Sequence, residues 1–366
     1  MDKSKANERY MVPDMEKNVN LSNEANIPFF SIIIPIYNAE KYIKRCAESI
    51  DKQSFNDYEV FFIDDSSEDS SSAICIELAQ KNGKIQYCKK THGGAAAARN
   101  YGIVKASGSY IVFIDADDYV AEQFLEKLRE SIADKEFPDI CFLNSHYVVD
   151  NGKINKNVIF HIPQTQDLSN GLSQKEFIDL VTFETNILPG SMCLAVFRKD
   201  FLLQNNLQFD EKLIWSEDSD FIYRALIKAE KIKCCSYCGY YYYLDNNKSV
   251  SKKFSLEKAM GRMDVYSKWA LYFENDPDAK KRYSERARKA LVQQLLSEYC
   301  EFLNVYMKIE NREEKKCLYK RLKAERKLWK QCKNYKYRDY VEYGIVLGAL
   351  IQNLKRQIKR ILKITP

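Results

Sequence analysis

The stretch SYIVFIDADDYV at residues 109–120 joins an apolar run to a cluster of acids. Tyr110 to Ile114 fit a buried β-strand, because the run is apolar and rich in β-branched and aromatic residues. Three carboxylates follow directly, those of Asp115, Asp117 and Asp118. Like charges this close repel one another, and their burial costs hydration. The arrangement therefore indicates a site that receives positive charge.

The segment before this strand alternates apolar strands with helical stretches. The pattern predicts strands at 29–37, 58–65, 84–90 and 109–116, with helices at 40–52, 69–81 and 93–106 between them. Strands that are apolar throughout and separated by helices favour a parallel sheet buried on both faces. We therefore predict an α/β fold that binds a ligand at the carboxyl ends of its strands.

The chain after residue 120 is less regular. A helix is predicted at 120–130, a hairpin at 139–162, a helix at 173–183, a short strand and helix at 189–206, a helix within 214–231 and a strand at 233–244. Residues 255–366 are predicted to be helical.

Polar residues follow three of the predicted strands. The first strand ends in PIYN (35–38), the second in DDSS (64–67) and the fourth in DADD (115–118). Because the carboxyl ends of parallel strands meet at the same edge of a sheet, we expect these side chains to converge. Helix capping by Asn, Asp and Ser would explain some of these residues, but not all of the carboxylates.

Asp115 and Asp117 lie two positions apart, so in an extended segment their side chains share one face. Two carboxylates on one face can hold a hard divalent cation, Mg²⁺ or Mn²⁺, through oxygen. Such a cation often takes its other ligands from a substrate diphosphate. A short D-x-D pattern alone is a weak signal, but its position after an apolar strand strengthens it.

Four stretches together resemble the motifs of the family 2 glycosyltransferases, which have the GT-A fold. They are SIIIPIYNAEKYIKRCAESIDKQSF (31–55), YEVFFIDDSSEDSS (58–71), GGAAAARNYGIVKASGSYIVFIDADD (93–118) and WSEDSDFIYR (215–224). The resemblance implies a Rossmann-like, mostly parallel central sheet with a C-terminal helical region. It also implies inverting, metal-dependent transfer of a sugar from a nucleotide donor, usually UDP-linked. The acceptor would be a glycan or a lipid-linked molecule in bacterial surface-polysaccharide synthesis.

The resemblance implies nucleotide-binding roles for several matched positions. Pro35 and Tyr37 would line the nucleobase pocket, where an aromatic face suits a flat base. Asp65 would hydrogen-bond the base. Arg99 would face a ribose or phosphate oxygen, to which its charge and donors are suited.

The resemblance also divides the acids of residues 115–118. Asp115, with Ala116 beside it, would lie on the ribose side of the nucleotide. Asp117 would be the main ligand of Mn²⁺ or Mg²⁺, and Asp115 the second ligand. Asp118 receives no role in the site and is interpreted as a cap for the helix at 120–130.

Asp218 in the WSEDSDFIYR stretch resembles the catalytic base of the family. A carboxylate in a partly desolvated cleft can take the proton of an acceptor hydroxyl as that hydroxyl attacks the anomeric carbon. The alternative is that Glu217, Asp218 and Asp220 only begin a helix, where acids complement the helix dipole. His92, which precedes two glycines, is interpreted as an exposed loop histidine, with contact to the nucleotide as the alternative.

The chain is predicted to have three parts. Residues 1–26 form a polar, flexible extension; 27–254 form the GT-A domain, with a nucleotide-binding half (27–120) and an acceptor half (121–254); 255–366 form a helical region.

The N-terminus lacks the apolar segment of a secretory signal, and no stretch reaches the roughly 18 apolar residues of a membrane span. Eleven irregularly spaced cysteines fit a reduced, cytoplasmic compartment.

The C-terminal tail carries the basic character of the chain. Residues 311–366 contain 17 Lys and Arg against 5 Asp and Glu, whereas the rest contains 40 against 46. Residues 343–364 form a basic amphipathic helix, which suits an anionic membrane surface on the inner face of the cell membrane. Packing on the domain, or dimerisation, is the alternative. The acidic main part does not favour a nucleic-acid partner.

Two other functions compete with glycosyl transfer. A catalytically silent nucleotide-sugar-binding or scaffold protein would share the fold, but the chain keeps Asp115, Asp117 and Asp218. A nucleotidyltransferase would need a glycine- and lysine-rich loop after the first strand, where this chain has IPIYNAEKYI (34–43). The sequence therefore favours a glycosyltransferase.

Overall fold

The computed structural model describes residues 27–132, 137–149, 153–158, 171–180, 190–213, 215–243, 255–331 and 345. The predicted N-terminal extension, the turn of the predicted hairpin and all of the predicted helix at 343–364 except Ile345 lie outside these residues.

The first four strands form a parallel sheet, as predicted. They lie in the order β3 (Ile85–Lys89), β2 (Tyr58–Asp64), β1 (Phe30–Ile36) and β4 (Tyr110–Phe113). The helices α1 (Ile43–Asp51), α2 (Ser71–Lys81) and α3 (Gly94–Lys105) connect them. Gly102 allows α3 to approach β1 closely, since a Cβ there would lie 2.4 Å from Cγ2 of Ile33. This contact fixes the helix that carries Arg99.

The sheet continues beyond β4 with strands from the second half of the chain. Its order is β4, β9 (Ala195–Arg198), β6 (Ile140–Val149), β10 (Lys231–Tyr243) and β5 (Tyr119–Val120), with β7 (Lys153–Val158) beside β6 and β8 (Leu172–Ser173) beside β10. β9 is antiparallel to β4 and β6, whereas β10 is parallel to β6. The helices of this half are α4 (Phe124–Ile132), α5 (Gln174–Leu180), α6 (Lys199–Gln204) and α7 (Glu217–Leu226).

Both faces of the sheet are buried at its central strand β1. Ile32 and Ile34 of β1 pack in one core with α1 and α4, whereas Ile33 packs in a second core with residues of α3 and α7. Successive side chains of a strand point to opposite faces, so a strand buried on both faces must be apolar throughout. Each fully buried side chain contributes about 1.5–3 kcal/mol. The continuous apolar run of the sequence is thereby explained.

Between residues 255 and 331 the C-terminal region is helical, as predicted. Its helices are α8 (Leu256–Asn275), α9 (Pro277–Arg282), α10 (Glu285–Lys308), α11 (Arg312–Ala324) and α12 (Arg326–Trp329). Trp269 of α8 and Trp329 of α12 lie in the same core as Phe221 of α7, so the region packs against the sheet domain. In the part of the chain that the structure describes, no helix is both long and apolar enough to cross a membrane. The predicted domain boundaries stay predictions.

Candidate functional site

Loops after three parallel strands meet at one edge of the sheet. β1 pairs with both β2 and β4 in parallel, so Tyr37, Asp65 and Asp115, which follow these strands, share that edge. The backbone N–H of Asp65 donates to the carbonyl of Ile36 at 2.9 Å. The structure therefore brings together the strand ends as the sequence predicts.

The carboxylate of Asp65 is buried among donors from the loop before α3. It accepts hydrogen bonds from Lys90 Nζ at 2.7 Å and from the backbone N–H groups of Gly93 and Gly94 at 2.9 and 2.7 Å. Nδ1 of His92 lies 2.9 Å from its Oδ2. Asp65 therefore fixes the loop that begins α3, while its predicted contact with a nucleobase stays a prediction.

Two exposed rings lie beside Asp65. Tyr37 is 46% exposed, and the centroid of its ring lies 4.7 Å from that of His92, with the two ring planes tilted by 36°. His92 is exposed, as interpreted from the sequence, but it also contacts Asp65. Pro35 lies within β1, opposite Ile63 of β2. The exposed rings could accept a planar ligand, and the buried Asp65 lies next to them.

Arg99 joins both halves of the site. Its side chain is only 5% exposed, and it contacts Asp115 Oδ1 at 3.0 Å through Nη2. Through Nη1 it contacts Asp218 Oδ1 at 2.8 Å and Glu217 Oε1 at 3.3 Å. A buried guanidinium is stable only with such partners, because an unpaired buried charge is costly. The structure thus gives Arg99 carboxylate partners; its predicted nucleotide contact stays a prediction.

Asp218 lies in the first turn of α7, beside this guanidinium. Its Oδ2 accepts a hydrogen bond from the backbone N–H of Met192 at 3.3 Å, and its side chain is 22% exposed. Burial raises the pKa of Asp218 to about 7, with the charges of Glu217 and Asp115 adding to the effect and Arg99 opposing it. A carboxylate with a pKa near neutrality is suited to exchange protons with a substrate.

The loop that carries the acids of residues 115–118 is held from α1. Nη2 of Arg45 donates to the backbone carbonyl of Asp117 at 2.6 Å. The same guanidinium lies over the rings of Tyr243 and Tyr119, 4.0 and 4.9 Å from their centroids. Ala116 is buried. Arg45 was not among the predicted site residues, although this arginine lies within a stretch that resembles the family.

Asp118 does not cap the helix after it, which corrects the interpretation from the sequence. Its carboxylate is buried and accepts hydrogen bonds from the hydroxyl of Tyr240 at 2.7 Å and from the backbone N–H of Tyr243 at 2.8 Å. Burial, and then the charges of Asp117 and Asp115, raise the pKa of Asp118 well above its usual range. Asp118 therefore anchors the end of β10 to the acidic loop.

Oxygen ligands for a divalent cation are available on this loop. The ligand atoms of Asp115, Asp118 and Cys193 lie within 4.8 Å of one another. However, Asp118 already binds β10, and burial keeps the pKa of the Cys193 thiol well above its usual range. Hard cations prefer carboxylate oxygen to a protonated thiol. Of these three residues the half-buried Asp115 fits a cation best, whereas Asp117 is not part of the group and its predicted role as the main ligand stays a prediction.

Helix α8 supports the first turn of α7, which carries Asp218. Asp220 is buried and accepts hydrogen bonds from Lys268 Nζ at 2.8 Å and Trp269 Nε1 at 3.0 Å, both on α8, and from Arg224 Nε at 2.7 Å. These donors lower the pKa of Asp220, although burial opposes them. Asp220 could have been only an acid at the start of a helix, but its contacts join α7 to α8.

Three comparisons with known proteins agree with this geometry. A family model described as glycosyl transferase family 2 matches residues 31–203. The uncharacterized glycosyltransferase EpsJ of Bacillus subtilis is 30% identical over 228 residues, which cover 62% of this chain and 64% of EpsJ. Staphylococcus aureus TarS, a poly(ribitol-phosphate) beta-N-acetylglucosaminyltransferase, is 28% identical over 216 residues, which cover 58% of this chain and 35% of TarS. The chain thus spans less than two thirds of either curated relative.

A solved structure has the same fold. The crystal structure of S. aureus TarS 1–349 in complex with UDP-GlcNAc matches with a TM-score of 0.68 and 21% identity, covering 90% of this chain and 92% of that chain. This likeness confirms the predicted fold, an α/β domain on a mostly parallel central sheet with a helical C-terminal region.

Proposed function

Since residues 31–203 match the family model of glycosyl transferase family 2, we propose that the chain transfers a sugar from a nucleotide donor to a hydroxyl of a glycan or lipid-linked acceptor, with inversion, in polysaccharide synthesis. One observation carries the proposal. Arg99 joins Asp115, at the predicted donor side, to Asp218, the predicted base, although the sequence separates these two acids by about a hundred residues.

The donor is a UDP-sugar in this proposal. The exposed ring of Tyr37, with His92 beside it and Pro35 beneath the same strand end, receives the nucleobase. Asp65 accepts a hydrogen bond from the edge of the base in this proposal, in exchange for one of the contacts that Lys90 and His92 make with its carboxylate. The solved complex of TarS with UDP-GlcNAc supports a uridine donor, because that protein has the same fold.

Asp117 and Asp115 would hold Mn²⁺ or Mg²⁺ together with the diphosphate of the donor, and Ala116 spaces them. When bound, the cation would offset negative charge on the departing nucleoside diphosphate. The carboxylates around Arg99 outnumber its single positive charge, which supports a site that takes up further positive charge.

Asp218 takes the proton from the acceptor hydroxyl in the proposed reaction. The hydroxyl oxygen forms a bond to the anomeric carbon from the face opposite the donor phosphate, and the carbon–oxygen bond to the phosphate breaks. The bonding electrons leave with the nucleoside diphosphate. Arg99 acts as a positioning residue, because its two nitrogens orient Asp218 and Asp115 toward the same space.

A donor-hydrolysis and transfer assay tests the proposal. The full chain is incubated with UDP-, GDP- and dTDP-sugars and Mn²⁺, and release of nucleoside diphosphate is measured. We expect release from a UDP-sugar, and its loss in Asp117→Ala. Donor binding without any release, even with extracted lipid acceptors present, would instead support the silent nucleotide-sugar-binding protein.

We also propose that the chain acts at the inner face of the cell membrane, through the basic helix predicted at 343–364. Ile345 is the one residue of that range that the structure describes, and it is buried in the core. This residue therefore packs on the protein instead of facing a membrane. Co-sedimentation with anionic vesicles tests the proposal. Neutralising Lys355, Arg356, Lys359 and Arg360 to Gln should abolish sedimentation, and equal sedimentation would contradict membrane binding.

A further inference from the structure

A cavity lies outside the site around Arg99. It has a volume of about 640 Å³ and is formed by the loop before α7, the first turns of α8 and the start of α11. The volume is in the range of pockets that hold small organic ligands, roughly 300–1,000 Å³. None of the proposed donor, metal or base residues lines it.

The wall of this cavity lies beside the segment that precedes Asp218. Gly261 lines the cavity, and a Cβ there would lie 3.9 Å from both the backbone nitrogen and the backbone oxygen of Trp215. Trp215 precedes Asp218 by three residues. Between them, Ser216 has a left-handed φ of 64°. Nζ of Lys258 on α8 lies 5.0 Å from the centroid of the Trp215 ring. The same helix thus lines the cavity and contacts the residue three positions before Asp218.

The lining of the cavity combines an apolar floor with oxygen acceptors. Leu213, Leu256 and Met260 supply the apolar part. The carboxylates of Glu257 and Glu314 supply acceptors for hydroxyl groups. A sugar has hydroxyl donors at its rim and C–H groups on its ring faces, so it matches both kinds of surface.

The charge of the lining selects among hydroxyl-rich ligands. Among the residues that the structure describes, three carboxylates, those of Glu257, Asp264 and Glu314, line the cavity with one cation, Lys212. Asp264 is paired with Arg321 at 2.7 Å, so Glu257 and Glu314 supply the surplus charge next to Lys212. Such a lining repels a chain of phosphodiesters, since like charges in a shared cleft cost free energy.

We propose that this cavity binds the acceptor as an uncharged, hydroxyl-rich glycan chain and positions its end toward Asp218. The proposal rests on the proposed function for the identity of the acceptor. It distinguishes this chain from a transferase whose acceptor is a polyol phosphate, because the lining disfavours phosphate.

Direct binding tests the proposal independently of turnover. Saturation-transfer NMR and calorimetry measure binding of neutral hexasaccharides of glucose, galactose and N-acetylglucosamine to the full chain, with a poly(ribitol phosphate) oligomer for comparison. Glu314→Lys removes an acceptor from the lining. Glu313→Lys is the matched control, because Glu313 is exposed in the same first turn of α11 and does not line the cavity.

We expect at least one neutral oligosaccharide to bind, and Glu314→Lys to weaken it about tenfold, the effect of losing a charge-assisted hydrogen bond. Glu313→Lys should bind as the wild type does. Met260→Trp, which fills the cavity from its apolar floor, should also abolish binding. UDP affinity should stay unchanged in all three variants, which excludes unfolding as the cause.

Three results would overturn the proposal: no neutral oligosaccharide binds, binding is the same in Glu314→Lys and Met260→Trp as in the wild type, or the phosphate polymer binds more tightly. The proposed function fails separately. If the sugar binds in the cavity but no UDP-sugar releases UDP, the glycan site stands and glycosyl transfer is wrong. If UDP is released and the cavity variants keep the acceptor KM, only the cavity proposal fails.

Discussion

Nη1 of Arg99 lies 2.8 Å from Oδ1 of Asp218, in a part of the site where the arginine is almost fully buried. The other terminal nitrogen of the same guanidinium lies 3.0 Å from Asp115. A planar fork of fixed shape sets the separation of the two carboxylates that it holds. The relation between Asp115 and Asp218, the predicted donor-side residue and the predicted base, is therefore fixed by one side chain of α3.

Replacing Arg99 with Lys separates a positioning role from nucleotide binding. A single ammonium keeps the charge but cannot hold Asp115 and Asp218 in the fork geometry. We expect kcat to fall about 100-fold, the low end of what general-base catalysis contributes, with UDP affinity unchanged. Steady-state kinetics and calorimetry measure the two effects. Weakened UDP binding with kcat preserved would support the nucleotide contact predicted from the sequence instead.

The pH dependence of turnover reports on Asp218. Burial raises its pKa to about 7, so the carboxylate is protonated and inactive below this pH and ionised above it. We expect kcat/KM to rise with pH through about 7 and then to level off. A profile that stays flat over roughly one pH unit or more on either side of this value, at saturating Mn²⁺, would contradict the role of Asp218 as the base.

The reaction should require a divalent cation that Asp117 helps to bind. In Asp117→Ala, we expect release of UDP to be lost even at raised Mn²⁺ concentration, because the main carboxylate ligand of the cation is removed. Glu122→Ala is the control, since Glu122 is an exposed acid near the same loop. Addition of EDTA to the wild type should stop release of UDP, and Mn²⁺ should restore it. Full activity in EDTA would contradict the predicted cation site.

Asp220 should contribute to folding stability rather than to chemistry. In Asp220→Ala, the buried indole N–H of Trp269 loses its acceptor, and we expect a loss of about 2 kcal/mol in the free energy of unfolding. Donors lower the pKa of Asp220 in the folded state, so its contribution is present above the usual carboxyl pKa and disappears as pH falls through the lowered value. Denaturant unfolding at pH 7 and at low pH measures both.

A matched control for this variant is Asp278→Ala. Asp278 also pairs with an arginine four residues later, at 2.8 Å, but both side chains are about half exposed. An exposed pair contributes only about 0.2–1 kcal/mol. Equal destabilisation by the two variants would mean that the contacts of Asp220 with α8 contribute nothing beyond a surface ion pair.

The sequence predicted the strand ends of the site because local pattern and sheet topology determine them. Apolar runs separated by helices require a parallel sheet, and a parallel sheet places Tyr37, Asp65 and Asp115 at one edge. The contacts of Arg99 could not be predicted in this way. Its partners Asp115 and Asp218 come from different parts of the chain, and only packing of α7 beside α3 brings them together.

The contacts of Asp118 show why its role was predicted wrongly from the sequence. An acid before a helix has a local explanation as a cap, and the sequence contains no sign of a distant partner. In the structure, antiparallel pairing of β5 with β10 brings Tyr240 to this acid, more than a hundred residues away. The tyrosines at 240–243 were visible in the sequence, but their register with β5 was not.

The measurement that tests the central claim most directly compares wild type with Asp218→Asn. Asparagine keeps nearly the same shape and can still contact Arg99, but it cannot accept the proton of an acceptor hydroxyl. With a UDP-sugar that the wild type uses, we predict that Asp218→Asn binds UDP with unchanged affinity and loses transfer by about 100-fold or more. Transfer at the wild-type rate in Asp218→Asn would contradict the assignment of Asp218 as the base.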